Sequence, residues 1–226
     1  MATDPARTGS TGGNKWLTAG IVLTAAAAGV TAFLAPAEKT LGDAAKLIYL
    51  HAGMVFVSLI LVTCVGVLGL LYLITGKETF FNWAKPTKIV TLIFWSVYLS
   101  SSILAMKLTW NTIVWNEPRF ALAASILAAL LAIFLLSTVF EARRVIASLN
   151  IAMGATTWIL LSQVDAVMHP TSNPIRNSGS AAIKYDSILI FIFLLTCAIL
   201  SVILARRLLN KIEGAKQDVL QSPEQH

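Results

Sequence analysis

Charge is what this chain has least of. Only 12% of its 226 residues are Asp, Glu, Lys or Arg, about half the ~25% that a soluble domain uses to wet its surface. That shortage excludes a water-exposed globule of this size. Cysteine is scarce too. The two thiols, Cys64 and Cys197, both sit inside apolar runs, which argues against a disulfide between them and for small inert hydrophobes. No C-x-x-C-H segment occurs, so the chain is not a c-type cytochrome. No G-x-x-x-x-G-K-[ST] segment occurs either, which excludes a P-loop for ATP. The net charge of +6 does not indicate nucleic acid, because no basic stripe with interleaved aromatics lies outside the apolar runs.

What the chain does have is apolar length: 57% of its residues are hydrophobic. They gather into six runs, at Trp16–Leu34, Met54–Thr75, Ile89–Met106, Phe120–Phe140, Val145–Leu161 and Ile188–Leu204. Each is near the roughly 20 residues that cross a bilayer as a helix. The predicted fold is therefore all-α, a polytopic bundle of six transmembrane helices in the cell membrane. Residues 1–14, rich in Gly, Ser and Thr, read as a disordered tail. Residues 15–210 form the membrane domain and 211–226 a C-terminal tail. Ala35-Pro36-Ala37 resembles a signal-peptidase site. The run before it exceeds the usual ~7–15 residues of a signal h-region, so it reads as a retained helix. Its Ala25–Gly29 segment offers small residues for close packing, as do Gly66, Gly69 and Gly154.

Basic residues fix the expected orientation. One set of connecting segments holds Arg7, Lys15, Lys77, Lys85, Lys88, Arg143, Arg144, Arg206, Arg207, Lys211 and Lys216, eleven in all. The other holds Lys39, Lys46, Lys107, Arg119, Arg176 and Lys184, which is six. The positive-inside rule puts both termini in the cytoplasm. Three polar loops then face outward: Ala35–Lys46, Lys107–Arg119 and Asp165–Asp186.

The residues able to carry chemistry collect on that outer face. Three histidines exist, and His226 ends the chain. His51 falls on an outward extension of helix 2, and His169 follows helix 5 in Asp165-Ala166-Val167-Met168-His169-Pro170. Each alone reads as an interfacial histidine; as a pair at one level they are candidate metal ligands. Zinc would need further donors such as Asp43 and Asp165, whose spacing makes no signature. Haem needs two axial donors and an apolar slot, with Met54 and Met168 as spare donors. Between helices 3 and 4 runs Trp110-Asn111-Thr112-Ile113-Val114-Trp115-Asn116-Glu117-Pro118-Arg119. Pro118 suits the first turn of helix 4, and Glu117 suits its dipole. Trp110 and Trp115 read either as an aromatic belt or, with Arg119, as a lid beside the histidines.

In these stretches the chain resembles the CcmC/CcsA family of haem-handling membrane proteins of cytochrome c maturation, the CcmC branch most closely. Tyr49-Leu50-His51 is similar to that family's Y-I-H segment. Trp110 to Arg119 is similar to its tryptophan-rich loop, W-G-x-x-W-x-W-D-x-R, with Trp110 and Arg119 matching and Glu117 replacing the aspartate. Val167-Met168-His169 lies where the family has its second outer histidine. Val114 and Asn116 stand where two tryptophans are usual. The resemblance implies haem b bound without covalent attachment, His51 and His169 as axial ligands, and a loop covering the macrocycle. Arg119 would pair with a propionate. It further implies hand-over to an acceptor chaperone of the CcmE kind, alongside ABC-type CcmA/CcmB-like subunits. Two other functions compete. One is a haem-b-binding or haem-free structural subunit of an energy-converting membrane complex. The other is a small-solute transporter, disfavoured because the spans hold almost no ionisable residue near mid-membrane, where coupled transporters place theirs.

Overall fold

A computed structural model describes residues 10–163, 175 and 177–221, with side-chain surroundings for 13–163, 175 and 177–215. These residues form six helices and no strand: α1 (Ser10–Leu34), α2 (Ala45–Thr75), α3 (Glu78–Trp110), α4 (Pro118–Val139), α5 (Arg143–Leu161) and α6 (Ala181–Gln221). All six are long and apolar enough to cross a membrane. The chain is a multi-pass membrane protein, and six crossings among the described residues bring the start of α1 and the end of α6 to one end of the bundle, the end nearer the chain termini in sequence. We call that the terminal end, and the other the distal end.

The helices overrun the apolar runs at both ends. α3, of 33 residues, would span about 50 Å, well beyond the ~30 Å of hydrocarbon. It starts at Glu78 and carries Pro86 inside it, so the segment that holds Lys85 and Lys88, read from sequence as a connection, is helical. Gly76, at φ 66°, caps α2 in the left-handed conformation that glycine adopts without steric cost. α3 begins two residues later. α1 starts at Ser10 and α6 runs on to Gln221, each reaching into a segment read from sequence as a tail.

α2 is the hub, packing against α1, α3, α5 and α6, while α4 touches only α3 and α5 in strength. Two clusters make the core. One joins α1, α2 and α6 through Ala28, Ala32, Tyr49, Val57, Ile190 and Leu194. The other joins α2 to α5 through Val62, Val65, Trp95, Ile126, Leu130 and Met153. Lipid is as apolar as these side chains, so close packing rather than expulsion from water drives their association. The α2–α5 contact shows how. A Cβ on Gly66 would lie 3.4 Å from the Gly154 Cα, and one on Gly69 would lie 2.6 Å from the Ala147 carbonyl oxygen. The packing role expected of these glycines holds. In α1 the packing edge is instead Ala28 and Ala32, both buried, while Gly29 faces open space. Cys64 is exposed on α2 and Cys197 buried on α6, both as free thiols.

Polar ties fix α4 on α3. The Trp95 indole, 1% exposed, donates from Nε1 to the Ala123 carbonyl at 3.0 Å. Glu117 caps α4 from its N-terminus, its Oε2 accepting the Phe120 N–H at 2.6 Å, with Pro118 in the first turn. Pro118 occupies the first turn as expected, and Glu117, expected only to suit the dipole, also caps the helix with its side chain.

Candidate functional site

The candidate site lies at the distal end, where α3 packs against α2 on one side and the start of α4 on the other. Its level follows from the Trp95–Ala123 tie. Ser101 lies six residues beyond Trp95 along α3, and Glu117 six residues before Ala123 along antiparallel α4, about 9 Å in each case. Ser101 bonds His51. The histidine therefore sits level with the N-terminus of α4, at the distal edge of the apolar layer.

His51 is half-buried between α2 and α3. Its Nδ1 lies 3.0 Å from Ser101 Oγ, and its ring lies 5.0 Å from that of Tyr98, centroid to centroid, at 42°. Proton accounting fixes the direction of the first contact. Ser101 has one hydroxyl proton, which it donates to the Tyr98 carbonyl oxygen at 2.7 Å. Its Oγ then accepts, and His51 Nδ1–H donates. A histidine that donates from Nδ1 in this way is one that, as a neutral imidazole, would ligate a metal through Nε2. Tyr98 meets Trp95 edge-on at 5.7 Å and lies within electrostatic range of Glu117 and Arg119. His51, Tyr98, Trp95 and the start of α4 thus form one connected aromatic and polar assembly.

The other sequence candidates divide. Trp110 is the last residue of α3 rather than a loop residue, and is half-buried. Asn111 follows at φ 55°, turning the chain sharply toward α4. Trp115 is 64% exposed and rests edge-on against Phe120 at 5.8 Å. Glu117 is 1% exposed and spends one carboxylate oxygen on the cap. Arg119 is exposed one residue past Pro118. These four lie in or beside the α3–α4 connection at the distal end, where Trp115, ahead of α4, packs edge-on against Phe120 in the first turn of that helix. Met54 packs toward the α1–α2–α6 cluster, and Asp43 pairs with Lys46 at 3.1 Å. His169, Asp165 and Met168 lie outside the described residues. Among the described residues no group of three or more His, Cys, Asp and Glu comes together to hold a metal ion.

Sequence reading missed Ser101, Tyr98 and Trp95. Their signal was available: Tyr98 and Ser101 stand at i and i+3 on a span, so both lie on one helix face. It missed Lys88 as well, assigning it to a loop. Lys88 lies within α3, 3% exposed, and donates from Nζ to Ser137 Oγ at 2.8 Å and Asn150 Oδ1 at 2.9 Å. α3 therefore holds a buried ionisable group at a position read from sequence as a connecting segment.

Neither known protein families nor curated proteins give a match to this chain. The resemblance drawn above stands on its quoted residues alone.

Proposed function

We propose that this protein binds haem b at the distal end of the bundle and presents it at the outer leaflet for cytochrome c maturation. In this reading both termini are cytoplasmic, the membrane is the cell membrane, and haem passes to an acceptor chaperone of the CcmE kind with CcmA/CcmB-like partners. The observation that carries the haem reading is the clamp on His51. Ser101 Oγ accepts a hydrogen bond from Nδ1–H and Tyr98 lies against the ring. A ligating histidine is normally oriented in this way, through the nitrogen that does not touch the metal. Its setting fits a haem edge as well: half-buried at the border of the apolar layer, with Tyr98 against the ring and Trp95 edge-on to Tyr98. His51 and, by resemblance, His169 would hold the haem, which would supply an iron able to take imidazole nitrogens. Arg119, exposed on the first turn of α4, suits a propionate carboxylate.

The second reading is a structural subunit without haem. The same clamp favours it, because Ser101 and Tyr98 are also what a packing histidine between two helices would use. Haem uptake by the purified protein separates the two. A low-spin haem b spectrum supports the first reading, and a chain that takes up no haem at stoichiometric supply removes it.

A further inference from the structure

Lys88 is a buried amine with an incomplete shell. Its Nζ is reached by two acceptors, Ser137 Oγ on α4 and Asn150 Oδ1 on α5. Both are neutral. Ser137 spends its own proton on the Phe134 carbonyl at 2.6 Å, so toward Lys88 it can only accept. The Phe134 ring faces the amino group at 5.7 Å, a contact that favours a positive charge. An ammonium has three N–H groups, and among the described residues the third has no acceptor. No carboxylate balances the charge either, since the ion pairs there are Lys46–Asp43, Lys85–Glu213 and Arg143–Glu78. A buried charge is costly unless paired.

The position shows where an anion would come from. The Lys88 backbone lies ten residues into α3, yet its head reaches Ser137, two residues from the end of α4. The side chain climbs inside the protein toward the terminal end, as lysines near helix ends do. Arg144, exposed at the start of α5, stands at the same end.

We propose that Lys88, its amine held by Ser137 and Asn150, is the cation that binds a single phosphate-type anion drawn in at the terminal end between α4 and α5. Two sources share that chemistry, an anionic phospholipid headgroup and free phosphate. The site lies at the opposite end from His51 and does not depend on the haem reading.

The test is thermal unfolding of the purified full chain in a neutral detergent. Phosphatidylglycerol, phosphatidylcholine of the same acyl chains, or inorganic phosphate is added. Phosphatidylglycerol should raise the Tm by several degrees more than phosphatidylcholine. Lys88→Met should abolish that difference, and Arg144→Gln should keep most of it. A rise with inorganic phosphate alone assigns the source to solution and keeps the site. Asn150→Asp places a carboxylate beside Nζ within the same volume, which keeps the test independent of how well Lys88→Met folds. It should raise the Tm without lipid and remove the response to phosphatidylglycerol. Three results would overturn the proposal. One is a parent protein indifferent to both anions, as a neutral Lys88 satisfied by its two oxygens would be. The second is Lys88→Met responding like the parent. The third is an Asn150→Asp protein of lower Tm that still responds fully.

Discussion

At the scale of single residues, the site turns on where protons sit. His51 presents Nδ1–H to Ser101 because Ser101 has already given its proton to the Tyr98 carbonyl. Ser101→Ala removes the acceptor, so the ring loses its fixed rotation while the helix interface stays filled. Loss of such an outer partner costs metal sites about 10–100-fold in affinity. Haem titration of Ser101→Ala should accordingly show weaker binding by at least tenfold, with the low-spin spectrum retained at saturation. An unchanged affinity would make Ser101 a packing partner only. Trp115 is argued differently. It is 64% exposed and touches Phe120 by its edge, so Trp115→Ala should leave the Tm nearly unchanged. Faster haem loss in that variant would mark the ring as a lid, and equal retention would mark it as an interfacial anchor. Glu117 is the structural member of the turn. Its cap on Phe120 N–H is worth about 1 kcal/mol, and Glu117→Ala should lower the Tm whether or not haem is present.

At the scale of helices, close backbone approach holds α2 to α5. Ala at position 69 would push its Cβ against the Ala147 carbonyl, which belongs to a backbone that cannot swing away. Overpacking of this kind costs about 1–3 kcal/mol. Gly69→Ala should therefore lower the Tm, while Gly29→Ala, with nothing within 4 Å, should be silent. Comparing the two variants in one detergent checks the packing directly. A Gly69→Ala protein as stable as the parent would deny the contact. The helices are also where sequence reading was strongest. All six spans were legible, because a run of about 20 apolar residues has few soluble uses. Their ends were not. Lys85, Pro86 and Lys88 together look like a loop, yet the proline is tolerated within α3, and Lys88 is buried by Ser137 and Asn150 from two other helices. No local pattern announces such partners. His51 shows the same limit: its place on an extension of helix 2 was readable, but Ser101 and Tyr98, fifty residues on, were not.

At the scale of the whole molecule, the two ends of the bundle differ in character. The terminal end carries Lys85–Glu213, Arg143–Glu78 and the Arg206 guanidinium 3.9 Å above the Trp83 ring. The distal end carries His51 and the turn that includes Trp115, Glu117 and Arg119. The excess of basic residues at the terminal end predicts that it faces the cytoplasm. Thr112 and Thr79 are both exposed, at opposite ends. Single cysteines there, in a Cys64→Ser and Cys197→Ser background, should differ toward an impermeant reagent in whole cells. Position 112 should label and position 79 should not; the reverse pattern would place the His51 site inside the cell. The measurement that bears most directly on the account is the absorption spectrum of the purified protein supplied with haem b, beside His51→Ala and His169→Ala. The account predicts a low-spin spectrum in the parent, lost or converted to high-spin in both variants. A parent that takes up no haem, or a His51→Ala protein with an unchanged low-spin spectrum, would contradict it.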